Sequence, residues 1–318
     1  MSSMGNTIEP VLVVIDGSAL IHRAYHALPP FTAPDGTPTN ALYGFITMLI
    51  SIIDTLKPSH MVVCMDTPKP TFRKELLVTY QSQRPKAPDE LKVQFPLVKS
   101  FLETAKIPVL LKEGFEADDV IGTVVQKVRE SSPDTSLFII TGDRDLLQLV
   151  DKKALIMMPT MGVNNMSRFN SDGVKKKLGV YPHQVVDYKA LVGDSSDNYA
   201  GIPGIGPKTA SGLLEKYETL ERMYEHIDEI PARTKALLVT HKESALLAKQ
   251  LATIKQDVEV DVNMSKLACT GISKDHIMPF LDTYGLQSIK KRLEIKADMD
   301  FGKKEPSKKD KDQLSFFS

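Results

Sequence analysis

Residues 109–145 read VLLKEGFEADDVIGTVVQKVRESSPDTSLFIITGDRD, and the fold follows from how this stretch divides. Val109–Leu111 and Leu137–Ile140 are short, apolar and strand-like, and Ala117–Arg129 between them has a helical pattern. A buried strand, an amphipathic helix and another buried strand make the repeating unit of a parallel α/β sheet. Acidic residues fall where the strands end. Glu116, Asp118 and Asp119 open the helix, and Asp143 and Asp145 follow the second strand in Thr-Gly-Asp-Arg-Asp.

The same arrangement continues toward the N-terminus. Val11–Ile15 and Met61–Met65 are further strand-like runs, each trailed by an aspartate, Asp16 and Asp66. Ala41–Leu56 and Leu91–Thr104 read as the intervening helices. The class is therefore α/β with a mainly parallel sheet, in which ligand sites form at the carboxyl ends of the strands. From about Asp172 the strand signal fades and helical patterns take over: Pro182–Val192, Thr209–Tyr217 and His241–Lys255. The expected domains are a core over residues 1–192, a helical domain over 193–292 and a flexible, lysine-rich tail over 293–318.

Composition sets outer bounds. A hydrophobic fraction of 42% and a charged fraction of 25% describe a globular chain with its own core. Cys64 and Cys269 lie far apart and suggest no disulfide framework, which fits a reducing cytosol. The polar start gives no signal peptide, and Ala41–Leu56, interrupted by Asp54, falls short of a membrane span. A cytoplasmic protein without membrane contact, acting as a monomer, is expected. The formal net charge is +0, but its distribution matters more than its sum. From Lys69 to Lys112 basic residues dominate, and the acids gather elsewhere.

One aspartate after a strand is usually a turn residue or a helix cap. Here there are several such groups, and a fifth, Asp194 and Asp197 in Gly-Asp-Ser-Ser-Asp-Asn, stands where the helical domain begins. Converging carboxylates cannot all ionise cheaply unless cations neutralise them. Oxygen ligands without His or Cys select Mg2+ or Mn2+, and two such ions about 4 Å apart activate a phosphodiester. Asp16, Asp66, Glu116, Asp118, Asp119, Asp143, Asp145, Asp194 and Asp197 are the candidate ligands. The seven histidines show no metal-ligand spacing and read as surface or core residues. A second motif, Gly201-Ile-Pro-Gly204-Ile-Gly206-Pro-Lys208-Thr209, runs into a helix. Glycines admit close backbone approach to a phosphate, the helix N-terminus offers free N–H groups, and Lys208 adds charge. The pattern looks like a helix–hairpin–helix, a sequence-independent grip on a DNA backbone.

Together these residues resemble the 5′-nuclease family, which includes the 5′→3′ exonuclease domain of bacterial DNA polymerase and the flap endonucleases. The likeness covers roughly residues 11 to 292. It rests on Asp16-Gly-Ser, Asp66, Glu116-Ala-Asp-Asp119, Gly142-Asp-Arg-Asp145, Gly193-Asp-Ser-Ser-Asp-Asn198 and the glycine-rich run. The resemblance implies a PIN-like core with a helical arch over the active site at about 67–104. Asp16, Asp66, Glu116 and Asp118 would hold one ion, and Asp143, Asp145 and Asp197 the other, with Asp119 and Asp194 acting through water or from behind. It also implies that Arg73, Arg84 and Lys86 meet phosphates, that Tyr80 stacks on an unpaired base, and that the hairpin carbonyls bind a monovalent cation such as K+. The reaction implied is two-metal hydrolysis of DNA at 5′ ends and flaps in replication and repair, extending to RNA–DNA hybrids.

Family members commonly read Tyr-Lys-x-x-Arg in the arch, whereas this chain has Tyr80-Gln81-Ser82-Gln83-Arg84. Gln81 carries no charge, and losing such a contact would cost on the order of 2–4 kcal/mol at the transition state. At the far end, Gln313, Leu314, Phe316 and Phe317 resemble the short peptide by which bacterial replication enzymes dock on a sliding clamp, apolar anchors on a flexible tether. A peptide in that position suggests a stand-alone protein. Two other readings compete: a non-catalytic flap- or duplex-DNA-binding protein of the same fold, and a PIN-type ribonuclease. A phosphatase with Asp16 as nucleophile would need an aspartate two residues on, where Ser18 stands.

Overall fold

The computed structural model describes residues 9–160 and 165–300, with side chains as far as Glu294. The terminal residues Gln313, Leu314, Phe316 and Phe317 lie outside the described residues.

The first half runs β1 (Val11–Asp16), α1 (Gly17–Ala27), α2 (Asn40–Leu56), β2 (His60–Cys64), α3 (Phe72–Leu76), α4 (Asp89–Lys92) and α5 (Gln94–Thr104). Then come β3 (Val109–Leu110), α6 (Ala117–Ser131), β4 (Ser136–Ile140), β5 (Ala154–Pro159), β6 (Met166–Phe169) and α7 (Ser171–Leu178). The second half holds α8 (Val185–Val192), the short strands β7 (Gly193–Asp194) and β8 (Tyr199–Ala200), α9 (Pro207–Tyr217), α10 (Leu220–Glu225), α11 (Ala232–Thr240), α12 (Lys242–Ala252), α13 (Lys274–Thr283) and α14 (Gln287–Asp300). Among the described residues no helix is long and apolar enough to cross a membrane.

The main sheet has the order β3-β2-β1-β4-β5-β6. It is parallel except for β6, which runs antiparallel at the edge. At its centre, Ile15 of β1 lies opposite Val63 of β2 and Ile140 of β4, so three strands end at one level. That register brings Asp16, Asp66 and Asp143 out along one edge. The expected α/β class with a mainly parallel sheet is what forms. β5 and β6 carry a weak strand signal, because Ala154–Pro159 is methionine-rich with one β-branched residue and β6 is only four residues long.

Alternation along β1 divides the core. Leu12 and Val14 join a layer containing Val120 and Ile121 of α6, Leu191 of α8 and Leu214 of α9. Val13 and Ile15 join the opposite layer with Leu20 of α1, Leu42 of α2, Phe101 of α5 and Ile277 of α13. Helices cover both faces, as a sheet of buried parallel strands requires.

Two segments pack back onto the core. The arch was expected to span about 67–104, but Val98, Phe101 and Leu102 of α5 are fully buried. Gln94 begins that anchor: its side-chain oxygen accepts the Ala41 and Leu42 amides at 2.7 and 3.1 Å, capping α2. Leu91, Tyr80 and Arg73 earlier in the same stretch are buried as well. Within the expected helical domain, Ile277, Leu281, Leu286 and Ile289 pack in the layer holding α1 and α2, and Ala268 bridges to His60 at the start of β2. Amphipathic periodicity reveals a buried stripe without saying which sheet face receives it.

Candidate metal centre

The carboxyl edge of the sheet opens into a cavity of about 660 Å³ lined by Asp16, Asp66, Glu116, Asp118, Asp143, Asp145 and Asp197. Backbone geometry brings them there. Asp16 ends β1 and caps α1, accepting the Ala19 amide at 2.9 Å. Its other oxygen accepts the Thr141 hydroxyl at 2.8 Å, and Thr141 in turn accepts the Asp143 amide at 2.9 Å. Asp66 accepts the Ala117 amide at 2.8 Å, tying the end of β2 to the start of α6. The Asp66 amide donates to Ser18 at 3.0 Å. Neutral donors thus hold this part of the cluster.

Such groups are costly to ionise together. Burial, with repulsion from Asp66 and Asp143, pushes Asp16 up to about 7. Burial likewise lifts Glu116 to about 7, although Arg73 at 3.5 Å pulls the other way. Asp118 is raised well above the usual carboxylate range by burial and then by Asp143. Asp143 is raised by burial, partly offset by Lys189 and Arg84.

The remaining acids are arranged differently. Oxygens of Asp145, Asp194 and Asp197 lie within 4.8 Å of one another, and Lys189 of α8 sits among them. Its ammonium bonds Asp145 and, at 2.5 Å, Asp194. Asp194 also accepts the Ser196 amide and hydroxyl. Burial alone would raise Asp194, but Lys189 and Ser196 outweigh it and hold its carboxyl below the usual range. Arg84 closes the triad from above, reaching Asp197 at 2.5 Å.

Three of the expected site residues are buried. Asp119, expected to act through water or from behind, is fully buried outside the cavity. Its oxygens accept Arg73 Nη1 and Nη2 at 2.7 and 2.9 Å and the amides of Glu116 and Lys255 at 3.1 and 2.9 Å. Arg73, expected at a phosphate, is 2% exposed and also donates to the carbonyls of Leu251 and Thr253. A guanidinium so fully engaged is a strut joining α3, α6 and the end of α12. Tyr80, expected to stack on a base, is also 2% exposed. Its hydroxyl donates to Asp197 at 3.1 Å and lies 3.3 Å from Glu116, and its ring lies parallel to Tyr199. Gln81 and Lys86 line the cavity with Arg84.

Sequence reasoning missed Lys189, Thr141, His22 and His26. The histidines line the cavity from α1, and burial lowers His22 below its ordinary value. Lys189 had a faint signal, five residues before Asp194 in the last turn of a helix.

The glycine-rich run follows directly. Gly193 and Gly201 pack back to back, and a Cβ on either would come within 2.4 Å of the other's amide nitrogen. Gly204 has φ +88°, Ile202 and Ile205 are buried, and α9 starts at Pro207 with Gly206 as its cap. Gly206, Lys208 and Thr209 are exposed at that helix start.

The donor set suits hard divalent ions: carboxylate oxygens dominate, and burial with mutual repulsion leaves several of them short of a counter-charge. A family model described as 5′-3′ exonuclease, N-terminal resolvase-like domain, matches residues 11–179. A second, the 5′-3′ exonuclease C-terminal SAM fold, matches residues 180–275. The chain belongs to the 5′–3′ exonuclease family. It is 39% identical over 256 residues to a 5′-3′ exonuclease of Aquifex aeolicus, covering 80% of this chain and 86% of that protein. It is 38% identical over 284 residues to DNA polymerase I of Bacillus caldotenax, covering 89% of this chain and 32% of the polymerase. The chain therefore spans about a third of the length of its polymerase relatives. In fold it is similar to a T5 5′-exonuclease with bound zinc, with a TM-score of 0.62 at 22% identity over 76% of this chain and 89% of the other. It is also similar to the catalytic core of Rad2 in complex with DNA substrate, with a TM-score of 0.57 at 16% identity over 87% and 88%. The PIN-like core with a helical C-terminal part is the fold. The two family models meet at 179/180.

Proposed function

We propose that this protein is a divalent-metal-dependent 5′→3′ exonuclease and flap endonuclease that hydrolyses DNA phosphodiesters in replication and repair. The observation carrying this reading is the convergence of Asp16, Asp66, Glu116, Asp118, Asp143, Asp145 and Asp197 on one cavity. Asp16, Asp66, Glu116 and Asp118 would hold one Mg2+ or Mn2+ ion, and Asp143, Asp145, Asp194 and Asp197 the other. Bound there, two such ions supply Lewis acidity toward the phosphodiester and a more acidic water.

The chain's own groups do the rest. Arg84 and Lys86 at the cavity mouth would hold the phosphates next to the cut, a guanidinium doing so through paired N–H donors. Gln81 would donate a hydrogen bond where relatives place a charge. Gly201, Gly204 and Gly206 would let the hairpin backbone approach a duplex phosphate, with Lys208 and Thr209 at the start of α9 completing the grip and hairpin carbonyls taking K+. DNA with 5′ ends or flaps is the proposed substrate, RNA–DNA hybrids a secondary one, and the cytoplasm the proposed site of action for a monomer.

The test is cleavage of a 5′-labelled flap duplex with Mg2+, Mn2+ or EDTA. Metal-dependent product near the junction is expected; duplex binding without product under any metal would favour the non-catalytic alternative. Gln313, Leu314, Phe316 and Phe317 are proposed to dock on a sliding clamp, so deleting residues 313–318 should spare cutting in dilute solution and abolish clamp binding.

A further inference from the structure

Asp197 is where the arch meets the triad, and arch side chains occupy both of its carboxylate oxygens. Arg84 Nη2 donates to Oδ1 at 2.5 Å and Gln81 Nε2 to the same oxygen at 3.3 Å, while the Tyr80 hydroxyl donates to Oδ2 at 3.1 Å. The backbone adds to the grip. The Gln81 amide donates to the Asp197 carbonyl at 2.9 Å, and Asn198 Nδ2 donates to the Thr79 carbonyl at 2.8 Å and to the Ser82 hydroxyl at 3.0 Å. Gln81 and Asn198 have φ of 54° and 57°, a left-handed region that non-glycine residues adopt when their surroundings hold them there.

We infer that residues 79–84 form a latch whose guanidinium competes with a divalent ion for Asp197. Ion binding at Asp145, Asp194 and Asp197 then releases the arch, and the closed arch weakens ion binding. The inference rests on the reading above that these carboxylates take a divalent ion.

The two protein cations at the triad differ in exposure. Lys189 stands on a packed helix with its side chain 12% exposed, whereas the Arg84 side chain is 48% exposed on a segment of turns. A half-exposed guanidinium gives up its partner at small cost, and a hard cation gains most from carboxylate oxygens. An ion that takes Asp197 therefore displaces Arg84 more readily than Lys189. The freed guanidinium already lines the cavity and becomes available to a phosphate. Tyr80, within 3.3 Å of Glu116, carries the same exchange toward the other half of the cluster. By linkage, the factor by which the ion opens the arch equals the factor by which the closed arch weakens the ion.

The chain contains no tryptophan, so Val78→Trp, at an arch position 85% exposed, gives the full-length protein a single reporter. Mn2+ titration by calorimetry reads ion affinity, and tryptophan emission reads the arch. Emission is expected to shift in step with ion binding. Adding Arg84→Gln should give the shifted emission before any ion is present and tighten the weaker Mn2+ site about ten-fold. Tyr80→Phe, which keeps the ring beside Tyr199, should move both readouts the same way by less. Thermal unfolding checks that each variant is folded. Mn2+ binding that leaves emission unmoved, or affinities in both variants within about two-fold of the parent, would overturn the latch and leave the metal reading standing. A folded parent that binds no Mn2+ would overturn both.

Discussion

Asp16, Asp66 and Asp143 are held by backbone amides and the Thr141 hydroxyl, whereas Asp145, Asp194 and Asp197 are held by Lys189 and Arg84. Both groups line or border one cavity on one sheet edge, yet Asp16 and Asp194 shift in opposite directions. Neutral donors orient a carboxylate without supplying opposite charge, so burial drives Asp16 up to about 7. An ammonium among the other three keeps Asp194 below the usual range. Among the described residues Asp16 has no protein cation to answer it, whereas Asp145, Asp194 and Asp197 carry provisional ones of their own. Opposite ends of the same cavity would therefore accept ions on different terms.

The largest effect expected is on cutting itself. Asp143→Ala and Asp197→Ala, one from each half, should each lower flap cleavage by about 10²–10³-fold or more while duplex binding in a gel-shift assay remains measurable. Wild-type cutting by Asp197→Ala would show that the cation-held half is dispensable and break the symmetry of roles.

Arg73 and Asp119 sharpen the comparison from behind. Their ion pair is dry, and removing one partner strands a buried charge, so Asp119→Ala should cost about 3–5 kcal/mol in denaturant unfolding. Were Asp119 a ligand to an ion, the loss would fall on Mn2+ affinity with stability little changed.

The neutral-donor half should also make stability depend on pH when metal is chelated. Asp16 and Glu116, ordinarily at 3.8 and 4.5, hold their protons to about 7 in the folded chain. Across that window the folded state binds more protons than the unfolded one, so stability falls as pH rises from about 4.5 to 7. Melting temperature in EDTA should thus be lower at pH 8 than at pH 5.5, and saturating Mg2+ should reverse the order. A flat EDTA profile would mean these carboxylates are not strained by each other's company.

The smallest effect expected is a gain. Gln81→Lys would place a charge beside Asp197, and a rise of about ten-fold or less in the cleavage rate is expected. An unchanged rate would show that Lys86 or Arg84 already fills that role.

Much of this plan is legible in the chain itself. Strand-like runs ending in Asp16, Asp66 and Asp143 reveal both the sheet and the edge that carries its chemistry, because side chains just past parallel strands share one end by construction. Gly201 through Thr209 announces a tight turn into a helix start, because backbone freedom and capping are local properties. The sequence by itself thus determined the fold class, the acidic edge and the hairpin. Only the tertiary structure decided that Asp119 pairs with Arg73, 46 residues away, that Tyr80 lies buried on Asp197, and that Lys189 and Arg84 neutralise one half of the cluster. Charge pairing depends on distances of a few ångströms between segments remote in sequence, and those distances exist only once the helices have packed.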